Sequence, residues 1–189
     1  MTITSRIARR PVHCKQKEKT MNEVIDHAIR IIAIGAGATL VMDGWLMFLK
    51  RLGVPIQSFS LLGRWIGHWP GGIFRHDSIV KAAPVKNELL LGWLAHYAIG
   101  IAFAVLLVAV VGPAWLVSPT PLPAIITGIV TVAAPLLVMQ PAMGAGVASS
   151  KTRTPLRNCI KSTVTHTVFG IGLYVAAVVV ASMPEGIAG

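Results

Sequence analysis

Long apolar runs separated by short charged stretches set the pattern of this chain. The runs have the length of helices that cross a bilayer, whose hydrocarbon core of about 30 Å needs about 20 helical residues. Four segments reach it: residues 24–49, 89–111, 122–148 and 158–182. The second is the plainest. No charge interrupts Leu89 to Val111, Glu88 stands at the positive end of the expected helix dipole, and Gly112-Pro113 stop it. The first holds an uncharged stretch from Ile31 to Met42, then Asp43, Lys50 and Arg51. The third opens after the breaker-rich stretch Ser118–Pro123 and runs through Pro135 and Pro141. A membrane bundle tolerates such prolines as kinks, because neighbouring helices can satisfy the freed carbonyls. The fourth stops at Met183-Pro184. The pattern predicts an all-α fold, an integral membrane four-helix bundle forming one domain over residues 21–183.

Residues 50–87 make the longest connection. Within it Phe59, Leu62, Trp65, Ile66 and Trp69 recur at helical spacing, with Arg64 and His68 off that face. This predicts a short amphipathic helix in the membrane interface, its tryptophans at headgroup level. A loop packed over the bundle mouth fits the same residues equally well.

Composition then explains itself. The 189 residues are 54% hydrophobic and 13% charged, with a formal net charge of +10. Soluble domains run near 45–50% apolar and about 25% charged. The excess charge does not indicate a nucleic-acid partner. The basic residues fall in three blocks, Arg6–Arg30, Lys50–Lys86 and Lys151–Lys161, with no Lys or Arg between Lys86 and Lys151. That is the spacing of loops between membrane spans, and it makes the lipid bilayer the partner. Collagen-like, disordered and disulfide-stapled classes are excluded; Cys14 and Cys159 are expected to be free thiols.

Residues 1–20 are polar and basic and lack the apolar core of a signal peptide. Met21 opens a compact segment, so residues 1–20 are expected to be a disordered basic tail or an upstream mis-start, and residues 184–189 a short tail. Four spans put the 50–87 and 143–158 loops on one side. That side carries ten basic residues; the other carries only Arg30 once the tail is set aside. The bias predicts cytoplasmic loops and periplasmic termini in a bacterial inner membrane. The basic tail works against this assignment.

Ionisable residues inside spans are costly and usually face the bundle interior. Asp43 lies seven residues before Lys50, His96 eight after Glu88 and His166 nine after Arg157. Since the spans alternate in direction, all three enter from the basic-loop side, to a depth of roughly 10–14 Å at 1.5 Å per residue. Gln140 lies near a similar depth. Small and hydroxyl residues recur at four-residue steps beside them: Gly35, Thr39 and Asp43; Gly92, His96 and Gly100; Thr127 and Thr131; Ser162, His166, Gly170 and Tyr174. Such stripes let membrane helices approach closely. The expected site therefore brings Asp43, His96, Gln140 and His166 together, with Thr39, Ser162 and Tyr174 around them. A purely structural polar core, a proton or cation pathway and a metal site all fit these residue types. In the long loop, Arg64, His68, His76 and Asp77 form a second candidate site, beside the flexible Gly71-Gly72 turn.

No nucleophile elbow, phosphate-binding loop, zinc-protease motif, haem-attachment motif or dinucleotide fingerprint is present. No enzymatic activity and no cofactor is therefore read from the motifs. "GAGATLVMDGWLMFLKRLGVP" at 35–55, "LLGRWIGH" at 61–68, "LGWLAHYAIGIAFA" at 91–104, "QPAMGAGVASS" at 140–150 and "THTVFGIGLY" at 165–174 resemble an uncharacterised bacterial inner-membrane family, the domain of unknown function 2938. The resemblance covers about Met21 to Met183. It implies a small multi-span membrane protein and brings no activity or catalytic residues. Three readings stand: a small proton-coupled transporter or permeation protein, expected to work as a homodimer; a membrane assembly or accessory factor with a structural polar core; and a membrane-embedded metal or cofactor binder.

Overall fold

A computed structural model describes residues 12–183, with side chains from Thr20 onward. Its elements are α1 (Val12–Arg51), α2 (Phe59–Gly67), α3 (Glu88–Val111), α4 (Pro121–Ala142) and α5 (Pro155–Ala181), joined by loops and short 3-10 turns. The fold is all-α. Residues Thr20–Arg51 of α1, together with α3, α4 and α5, make four helices long and apolar enough to cross a membrane.

Where the residues sit fits a bilayer as the solvent. Leu40, Leu94, Val130 and Val179 point outward, while Ala38, Ala104, Ala124 and Ala177 are buried. Large apolar groups outside and small ones inside invert the pattern of a soluble core. Helices in lipid gain little by hiding leucine, and gain by bringing backbones close. Glycines set the contacts here. A Cβ on Gly35 would collide with the backbone at Ile101, one on Gly128 with Gly170 and the His166 carbonyl, and one on Gly172 with Ala38. Helix α5 thus lies between α1 and α4, and α3 packs on another face of α1. Ile34, Leu107, Leu116, Phe169 and Leu173 fill the space between.

The boundaries differ from the sequence expectation at two places. Helix α1 begins at Val12 rather than near residue 24. No Gly or Pro lies between Val12 and Gly35, so nothing breaks the helix ahead of the apolar segment. The expected tail thus overlaps α1 from Val12 on; its first eleven residues and residues 184–189 lie outside the described residues. Helix α4 ends at Ala142 rather than near 148, because Gly144 and Gly146 adopt left-handed φ values of 92° and 78°. Gly144 sits where a Cβ would strike the Asp77 carbonyl, so the turn is pinned against the long loop. Within α4, Pro135 has no N–H to donate and its ring crowds the carbonyl one turn back. The helix widens to π geometry over Ala134–Met139.

Helix α2 forms where the amphipathic pattern predicted, capped by Ser58, whose hydroxyl accepts from the Ser60 N–H. It runs antiparallel along the first turns of α3. Phe59 meets Gly92 and Trp93, Gly63 meets Glu88 and Gly92, and Gly67 meets Val85. Gly63 and Gly92 permit contact at backbone distance. Leu62, Ile79 and Met143 form a small second core beneath α2.

Candidate functional site

The polar residues of the spans gather in two separate groups. The first joins α1 to α3. Asp43 is buried, and its carboxylate accepts from His96 Nε2 at 2.9 Å and from the Tyr97 hydroxyl at 3.0 Å. Both carboxylate oxygens are engaged by α3. The ring of Phe59, the first residue of α2, lies over His96 with centroids 4.6 Å apart, and Trp93 closes another side. His96 itself is largely covered, with 13% of its side chain exposed.

The second group joins α4 to α5. Thr131 donates its hydroxyl proton to the Gly128 carbonyl at 2.8 Å. With that proton committed, Thr131 can only accept from His166 Nδ1, 3.1 Å away, which fixes the tautomer of His166. Both residues are buried, and Phe103 of α3 stands edge-on to the imidazole. Among the described residues no hydrogen bond links His166 to Asp43 or His96.

The remaining predicted residues go elsewhere. Gln140 is buried at the end of α4 and accepts from the Ser149 hydroxyl at 2.9 Å, inside its own connection. Thr39 bonds the Gly35 carbonyl and packs against Gly100, so it serves the helix contact. Tyr174 packs against the apolar core, and Ser162 is half-buried without joining either group. The four-residue stripe explains the divergence. Each step of four turns about 40° past a full circle, so Gly92 faces α2 while Gly100 faces α1.

In the long loop, Arg64 grips Glu88 with two bonds, at 2.8 and 2.9 Å, and donates to the Val80 and Ala82 carbonyls. Glu88 holds the Arg64 guanidinium above its ordinary pKa through that hydrogen bond. Arg64 is therefore a tie between α2, α3 and the loop. His68 and His76 lie ring to ring, with centroids 4.9 Å apart, and Asp77 next to them is exposed. Lys161 donates to the Pro55 carbonyl at 2.7 Å and straps the start of the loop to α5.

Three participants escaped the sequence reading. Tyr97 lies one residue off the His96 stripe, and no spacing rule selects it. Thr165 accepts from the Trp45 indole N–H at 3.3 Å, beside His166. Arg30 is only 4% exposed; it pairs with Asp26 at 2.6 Å and donates to the Val180 carbonyl near the end of α5. The spacing of Asp26 and Arg30, four residues apart on one helix, was the available signal. A cation there also complements the negative end of the α5 dipole.

Among the described residues, no group of three His, Cys, Asp or Glu side chains stands close enough to hold a metal ion. Cys159 is a free thiol; the side chain of Cys14 lies outside the described residues. The sequence profile of one family, described as a protein of unknown function (DUF2938), matches residues 32–180. No curated protein and no solved structure matches the chain.

Proposed function

The chain belongs to the DUF2938 family of proteins of unknown function, and from its own geometry we propose a small membrane permeation protein that takes up and releases protons at Asp43 and His96. One observation carries the reading: a buried carboxylate bonded to an imidazole across two spanning helices. A carboxylate and an imidazole can each hold or give up a proton, which is the chemistry a relay between two helices needs. Such pairs inside membrane helices are costly to maintain and mark proton pathways. His96 Nε2 addresses the carboxylate, which leaves Nδ1 as the second port of a relay. Tyr97 holds the other carboxylate oxygen and fixes its orientation. Phe59 of α2 covers the imidazole, so a small movement of α2 would open or close the route from the loop side.

The test is proton flux into vesicles that contain the purified chain and a pH-sensitive dye, driven by a potassium diffusion potential. The expected result is flux above that of empty vesicles, lowered at least tenfold by Asp43→Asn and kept by Thr131→Val. Wild-type vesicles no leakier than empty ones would overturn the reading.

A second reading has an observation of its own. Both oxygens of Asp43 are satisfied by α3, as a structural bolt between helices would require. The chain would then be an assembly or accessory factor. Loss of folded protein in Asp43→Asn, with no flux in the wild type, supports that outcome.

The proposed setting is a bacterial inner membrane, crossed four times, with the 50–87 and 143–158 loops in the cytoplasm. The support is the ten Lys and Arg residues on that side. A C-terminal reporter active only outside the cytoplasm should be active; a silent one, with a cytoplasmic reporter active instead, reverses the assignment.

A further inference from the structure

The loop side of the bundle holds two imidazoles that the proton reading does not use. His68 Nδ1 and His76 Nε2 are both buried and have no hydrogen-bond partner. A buried polar atom without a partner calls for an explanation, and a bound ion is one of the few available. Here two such atoms belong to adjacent rings. The ring centroids lie 4.9 Å apart with planes inclined by 45°. An imidazole nitrogen sits about 1.1 Å from its ring centre and binds a metal at about 2.0–2.1 Å, so two rings on one tetrahedral ion have centres about 5 Å apart.

The rings are held from both sides. His68 closes α2, and its carbonyl accepts from the Gly71 and Ile73 N–H groups at 3.1 and 3.3 Å. The turn between them needs Gly72, whose φ is 75°. The backbone N–H of His76 donates to the Ala142 carbonyl at 2.8 Å, which ties the residue to the end of α4. Trp65 donates its indole N–H to the Phe74 carbonyl, and Trp69 packs edge-on against Trp65, so the loop between the histidines is folded. Burial, and then the neighbouring ring of His68, hold His76 below the usual imidazole pKa.

We propose that His68 and His76 together hold one first-row transition-metal ion of the kind imidazole prefers, such as Zn²⁺ or Cu²⁺. No third His, Cys, Asp or Glu completes the set among the described residues. The other coordination positions therefore belong to water or to an incoming ligand, and the ion is exchangeable rather than locked in. The ion would join the α2 end of the loop to the exit of α4.

The experiment uses the full chain in detergent, free of any histidine tag. Cu²⁺ alone is added and read by electron paramagnetic resonance; Zn²⁺ alone is read by competition with a chromophoric chelator. One equivalent should bind, with nitrogen couplings from two imidazoles. His68→Gln and His76→Gln should each weaken binding at least tenfold, while His27→Gln and Asp43→Asn leave it unchanged. The Asp43 variant separates this proposal from the proton reading, since either can fail alone. Size-exclusion profiles check folding, and His76→Asn serves if a glutamine variant aggregates. No one-equivalent binding of either ion would overturn the proposal. So would equal affinity in the wild type and both histidine variants, which would leave water as the partner of the two nitrogens.

Discussion

His96 and His166 entered the sequence reading as equivalents, two imidazoles at similar offsets from the basic-loop side. The structure gives them different chemistry. His96 faces a carboxylate that also holds Tyr97. His166 faces a hydroxyl whose own proton is committed to a backbone carbonyl. The first environment pairs the ring with an ionisable group, and the second offers it only a neutral acceptor. Histidine in a membrane helix is thus defined by its partner more than by its depth.

The helix contacts around the two groups differ as well. At α4–α5, Gly128 sits against the His166 carbonyl and the backbone of Gly170. At α1–α3, Gly35 also meets backbone, at Ile101, but Gly100 sits mainly against the side chain of Thr39. Backbone has nowhere to go, whereas a side chain can rotate.

These contrasts can be broken in order of expected effect. Asp43→Ala should act most, because it leaves the His96 and Tyr97 donors buried without their shared acceptor. An unsatisfied buried donor costs about 1–3 kcal/mol, and with two donors left unpaired a drop of roughly 3 kcal/mol or more should appear in unfolding of the detergent-solubilised chain. A loss no greater than that of His166→Ala would erase the distinction between the two groups. Next come the glycines. Overpacking a tight contact costs about 1–3 kcal/mol; Gly128→Ala should fall near the upper end and Gly100→Ala near the lower. The reverse order in thermal unfolding would show that Thr39 cannot give way to the added methyl group. The smallest effect belongs to Thr131→Val, which keeps the shape and removes the acceptor of His166. An unsatisfied buried donor costs about 1–3 kcal/mol, and a value near 1 kcal/mol is expected because only one donor loses its partner. A loss as large as that of Asp43→Ala would erase the ranking of the two groups.

Much of the fold was legible along the chain. Leu89–Val111 reads as a span because nothing charged interrupts it, and the helix occupies Glu88–Val111. The aromatic and apolar spacing from Phe59 to Trp69 located α2. Less of the candidate site was legible. Asp43 and His96 stood out because ionisable groups are rare in apolar runs, but their direct bond depends on how α1 and α3 rotate about their axes. Gln140 was expected beside them and instead bonds Ser149, because left-handed glycines end α4 early and turn its exit back on itself. Tyr97 gave no signal, since a tyrosine in an apolar run reads as an ordinary aromatic.

The sequence by itself determined an all-helical chain with four segments long and apolar enough to cross a membrane, its charge lying in loops and toward helix ends with Asp43 as the main exception. Hydropathy does that locally, because a backbone in lipid has to close its own hydrogen bonds within each segment. Only the tertiary structure decided which polar residues meet. That choice rests on glycine contacts such as Gly63 with Gly92 and Gly128 with Gly170, which fix each helix's rotation to within a fraction of a turn. A 40° drift per four residues is enough to send one stripe toward two different neighbours.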